Sequence, residues 1–167
     1  VSIQECLEKF TRLSNQFRLA NEFLKKINHS CRTLSSFAQV LQDQINLIYL
    51  QLADIEKRCL KQECTYTILL FYQELESLGI ISKGECIERL FDQISFYDNK
   101  LNCDLTLELI HILYKNLLMS EMINNSIFFN FLLPLFISSC RIYLEIIQNW
   151  LANGIINDPF DEFFIQR

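Results

Sequence analysis

Apolar residues recur at steps of three and four along most of the chain, and the steps mark out helices. Ile3, Leu7, Phe10, Leu13, Phe17, Ala20, Leu24 and Ile27 form one stripe, opened by a Ser2–Glu5 capping box. The run "NHSCRTLSS" interrupts it. Ser36 and Gln39 then have the spacing to cap a second helix, with Phe37, Leu41, Ile45, Ile48, Leu52, Ile55 and Cys59 on its buried face. Leu47 and Leu50 widen that face, which predicts neighbours on more than one side. A third segment, roughly 65–79, carries Ile68, Leu69, Phe71, Tyr72, Leu75 and Leu78 and ends at Gly79.

Ser82 and Glu85 form another capping box, ahead of Ile87, Leu90, Phe91 and Ile94. After the polar "YDNKLNCD", Leu105, Leu109, Ile112, Leu113 and Leu117 define a fifth helix. The last helical region covers about 126–153, where Pro134 should either kink it or begin a second helix at its first turn. Tyr143, Ile147, Trp150 and Leu151 share a face, and Gly154 can take the left-handed cap. Beyond it, "IINDPFDEFFI" has a turn in its middle and strand-favouring aromatics after it. "EFFI" therefore reads as a short extended segment, and because a lone strand is unstable, residues 158–167 should find their partner outside this chain. The expected fold is all-α, an elongated stack or bundle of about six to seven antiparallel helices within one domain over 1–167.

Composition agrees. Half of the 167 residues are hydrophobic and Gly and Pro number only three and two, which favours long helices and excludes disorder. The chain starts with Val, which predicts a processed or excised piece, and charges within "VSIQECLEKF" do not suit a signal peptide. Charge is uneven, +2 over residues 1–64 and −7 over 65–167, with no dense basic patch for nucleic acid. The apolar stretch 127–140 falls short of the ~20 residues of a spanning helix and contains Asn130 and Pro134, so it reads as a buried helix and not a membrane contact.

Chemistry is sparse. Seven cysteines form no C-x-x-C, and only His29 and His111 could join them on zinc, so reduced, mostly buried thiols of a cytosolic protein are expected. Glu108 and His111 have the Glu-x-x-His spacing of di-iron bundles, but no second such pair exists, and a solvated helix face is the simpler reading. Glycine-rich phosphate loops and G-x-S-x-G are missing too. The expectation is no enzyme, no cofactor and no metal. What stands out is an aromatic excess, fourteen Phe and six Tyr, of the kind that interfaces use.

The end of the chain resembles a signature of the gamma-tubulin complex component (Spc97/Spc98) family. In that signature a helix ending in Tyr-(x)6-Trp is followed by Gly, an apolar pair, Asp-Pro-aromatic and Glu-Phe-aromatic-aliphatic. The matching positions are Tyr143, Trp150, Gly154, Ile155, Ile156, Asp158, Pro159, Phe160, Glu162, Phe163, Phe164 and Ile165. "FAQVLQDQINLIYLQLADIE" is similar to an upstream family helix through Leu41, Tyr49, Leu52 and Glu56, and "CTYTILLFYQELESL" to the next. Gly84 alone remains of the glycines usual near 84–96, and Ile142 stands where many members have Pro. The "EFFIQR" ending looks closest to the fifth and sixth components.

The resemblance implies the amino-terminal conserved half, which packs laterally on neighbouring components, while an absent carboxy-terminal half binds gamma-tubulin. It implies a cytoplasmic, cytoskeletal scaffold at the microtubule-organising centre, centrosome and spindle, active in microtubule nucleation. The signature residues are then structural anchors, and Trp150→Ala should cost about 3–5 kcal/mol if the indole is buried. The rival readings are a scaffold of another large assembly, such as a vesicle-tethering complex, and a metal enzyme using Glu108 and His111.

Overall fold

The computed structural model describes residues 2–26, 31–61, 67–94 and 101–164. These form six helices: α1 (Ile3–Lys26), α2 (Arg32–Leu60), α3 (Ile68–Ser77), α4 (Ile80–Gln93), α5 (Asn102–Met122) and α6 (Ser126–Asn153). No strand occurs among the described residues. The fold is all-α, as the periodicity predicts.

The Ser2–Glu5 box forms reciprocally: the Ser2 amide donates to Glu5 at 2.7 Å and the Glu5 amide to Ser2 Oγ at 3.2 Å. The other two boxes do not form. Helix α2 starts four residues before Ser36, with Cys31 as its cap, because groups from distant segments hold that end. Helix α4 starts at Ile80 directly after Gly79, which serves both neighbouring helices. At φ 68° Gly79 reverses the chain in one residue, a conformation costly to any side chain, and leaves Ser82 inside the helix. Pro134 sits inside the single helix α6 and starts no second one. Asn125 caps that helix instead, its side chain accepting from the Phe128 amide at 3.1 Å.

Helix α6 is the axis of the packing, with α2 and α5 along it and α4 crossing its start. Arg32 reaches Glu145 near one end and Ser36 Oγ meets the Ser138 carbonyl further in, so α2 and α6 run antiparallel. Tyr114 against Phe136, together with Asn102 against Phe160, sets α5 antiparallel to α6 as well. Helix α1 lies on α4 and α3, away from α6. Its contacts advance in step with α4, from Leu13 and Gln16 at Gly84 to Phe23 at Phe91, so these two helices are parallel rather than antiparallel. Two intervening helices in the chain permit that direction. A Cβ on Gly84 would come within 2.4 Å of both Leu13 and Gln16, so the missing side chain is what lets α1 and α4 approach.

One core links all six helices, through residues such as Phe17, Phe37, Leu41, Ile45, Leu75, Ile87, Leu113 and Phe131. The α2 stripe is buried or partly buried throughout, whereas Ile3 and Leu7 at the start of α1 are exposed and Ile27 lies outside the described residues. Leu47 and Leu50 are exposed too, so no described helix covers the widened face of α2. Helix α6 is long and apolar enough to cross a membrane by length and composition. Phe128, Phe131, Leu132, Leu135, Ile142 and Ile146 are nevertheless buried against its neighbours, as in a core helix.

Candidate scaffold site at the carboxy-terminal signature

Helix α6 ends where Gly154 adopts φ 67° and its amide donates back to the Trp150 carbonyl at 2.8 Å. The chain then turns at Pro159–Phe160 and passes Asp161 at φ 53°, a left-handed position that Asp tolerates better than most residues. Asp158 stabilises this turn by accepting from the Phe163 amide at 2.6 Å. Asn102, at the start of α5, donates to the Phe160 carbonyl at 2.8 Å. The segment is thus folded back onto the helices rather than extended as a strand.

The turn delivers two side chains inward. Phe163 is 1% exposed, its ring 5.3 Å from Tyr143, 6.3 Å from Trp150 and 4.5 Å from Phe164. Glu162 is equally buried, and its carboxylate accepts from the Arg32 amide, from the Thr33 amide at 2.9 Å and from the Thr33 hydroxyl. Helix α2 has no acidic residue in its own first turn. A carboxylate from 130 positions away takes up amides that would otherwise be orphaned and answers the positive end of the helix dipole. Cys31 completes the cap: its Sγ accepts from the Leu34 amide at 3.4 Å and lies 3.4 Å from the Thr106 hydroxyl of α5. Burial pushes the Cys31 thiol up from its ordinary value.

The signature residues therefore divide. Tyr143, Asp158, Phe160, Glu162 and Phe163 meet at one junction of α2, α5 and α6, with Gly154 setting the entry angle and Pro159 in the turn. Burial raises the Tyr143 phenol, offset in part by a hydrogen bond with the Phe164 backbone. Trp150 is 37% exposed, so its indole borders the junction instead of filling it, against the expectation of a buried anchor. Ile155 and Phe164 are exposed, and Ile165 lies outside the described residues. The expected partner beyond the chain is thus not what covers Glu162 and Phe163, since the chain's own helices do so. Of the upstream positions, Leu41 is in the core, Leu52 packs on it, and Tyr49 accepts from Asn21 of α1 at 2.8 Å. Glu56 is exposed.

Sequence reading missed Thr33, Cys31 and Asn102. The polar stretch that holds the first two reads as a linker, and nothing local marks them as partners of Glu162. His111 is exposed and Glu108 half-buried, and no group of three or more His, Cys, Asp or Glu is placed to share a metal among the described residues. Four of the six described cysteines are buried, and burial lifts the Cys86 thiol to about 12, far from a reactive thiolate. The chemistry assembled here is that of a structural junction.

No curated protein sequence matches the chain. A family model does, the gamma-tubulin complex component N-terminal model, over residues 1–167. With the signature folded into the junction that joins three helices, the chain belongs to the gamma-tubulin complex component N-terminal family.

Proposed function

We propose that this chain is a structural segment of a gamma-tubulin ring complex subunit, associating laterally with the corresponding segments of neighbouring components and so setting the geometry for microtubule nucleation. The observation that carries the reading is the family match along the entire chain. On this reading the role is geometric rather than catalytic. A helical stack braced by one shared core and by the Glu162 junction resists bending, and lateral repetition of stiff units fixes the spacing of whatever they carry. Gamma-tubulin would be held by the other half of the protein. Exposed Phe164 and Ile155 would be covered by chain following the signature. The protein would work in the cytoplasm at the microtubule-organising centre, the centrosome and the spindle.

The test is affinity purification of the full-length protein with mass spectrometry of its partners, with and without residues 1–167. Gamma-tubulin and complex components are expected with the intact protein. The deletion should weaken component–component association while sparing direct gamma-tubulin binding. Recovery of tethering-complex subunits instead, or a deletion that leaves lateral association unchanged, would overturn the proposal.

A further inference from the structure

The outward face of α2 carries a second kind of site. Asp43, Leu47, Leu50 and Asp54 recur at steps of four, three and four, which draws a straight seam along the helix. Leu47 is 54% and Leu50 67% exposed. Along the seam runs a groove of about 430 Å³ lined by Gln44, Leu47, Leu50, Gln51, Leu78 and Lys83, together with Asp54 and Arg58. Lys83 and Gln44 also border an adjoining cavity of about 320 Å³ that reaches the start of α6.

Of the polar groups in this groove, Arg58 and Asp54 answer each other, while others lack a partner among the described residues. Gln51 Oε1 is buried without a hydrogen-bond partner. Lys83 and Gln44 are half-buried, and neither side chain has a hydrogen bond or ion pair among the described residues. Other polar groups of α2 are satisfied, two of them within the groove: Gln39 donates to Asp43, Gln42 to Asn46, and Arg58 is held by Asp54 and Glu74. Buried polar atoms are ordinarily paired, so the open Gln51 oxygen, with a half-buried cation and amide that bond to no described residue, describes half of an interface beside the exposed leucines.

We infer that this groove docks an amphipathic helix of a different protein, which sets one carboxylate against Lys83 between apolar residues that cover Leu47 and Leu50. The leucine seam asks for a helix, because its spacing matches knobs-into-holes contact. Lys83 asks for an acid. Asp43 and Asp54, at the two ends of the seam, require neutral or basic residues opposite them. A second copy of this chain does not fit. In the antiparallel pairing of two identical seams Asp43 meets Asp54, in the parallel pairing each meets itself, and either way like charges face one another. The inference goes beyond lateral assembly, since the helix need not come from a complex component. The deletion experiment above tests that reading separately.

The experiment places a photo-crosslinking amino acid at position 50 of the full-length protein in cells and sequences the crosslinked peptide. A peptide from another protein with Asp or Glu among apolar residues at helical spacing is expected. Lys83→Glu should reduce its yield about tenfold, and changing that peptide's acid to Lys should restore it. Lys83→Met should also lower the yield while thermal stability is kept or slightly raised, which separates lost docking from lost folding. A crosslink to a second copy, a peptide without a carboxylate, a yield indifferent to Lys83→Glu, or no crosslink at all would each overturn the inference.

Discussion

Helix α2 meets its surroundings in opposite ways at two places. At its start, the orphan amides and the Thr33 hydroxyl are taken up by Glu162 and by Cys31, and both of those groups are buried. At its middle, the Gln51 oxygen is buried without a partner, and Gln44 and Lys83 of α4 border the same groove with no side-chain bond to any described residue. One helix thus holds a finished junction and an unfinished one. The difference separates two uses of buried polarity. Satisfied groups fix a local arrangement, while a buried unsatisfied one costs stability that an incoming partner can recover.

The sharpest way to break the finished junction is Phe163→Ala. The ring is buried against three other aromatics, and its loss should cost about 3–5 kcal/mol, read as a fall in the midpoint of denaturation. Glu162→Ala comes next, at about 2–3 kcal/mol, because it leaves two amides and a hydroxyl without their acceptor. Amide hydrogen exchange should locate that damage at residues 31–36, a long way along the chain from the mutation. If protection were lost only near residue 162, the carboxylate would not be capping α2.

Trp150→Ala should do less. With more than a third of the residue in solvent, the loss is about 1–2 kcal/mol rather than the full cost of a buried indole. A drop as large as that of Phe163→Ala would mean that the indole is covered by chain following residue 164.

These residues show how far the sequence could be read. Helices and their buried faces were legible because periodicity is local: Phe37, Leu41, Ile45 and Ile48 are as buried as their spacing predicts. Caps were legible only where both partners are local, as at Ser2 and Glu5. The start of α2 was not, since its decisive carboxylate arrives from the far end of the chain and one-dimensional patterns do not encode such pairs. The signature run stood out through its Gly, Pro and aromatic register, but pattern alone did not show that Asp158 and Asn102 secure a turn over its described residues. The groove beside α2 was foreshadowed by Leu47 and Leu50, which widen the apolar stripe beyond what the described helices cover.

The smallest expected effect tests the unfinished side of the comparison. Burial pulls the Lys83 ammonium below its ordinary value, and no partner among the described residues offsets it. A base whose folded pKa is lowered weakens the fold at pH values below that pKa, and the penalty fades as pH rises through it toward the unfolded value. Lys83→Met keeps the length of the side chain and removes the charge, so it should stabilise the protein by up to about 0.5 kcal/mol at neutral pH. The gain should shrink in alkaline solution as Lys83 of the unmodified protein sheds its proton. Thermal denaturation of both forms across neutral to alkaline pH measures this directly. A cation that destabilises its own fold while its replacement weakens docking is acting for a partner, whereas a loss of stability in Lys83→Met would make it one more member of the packed structure.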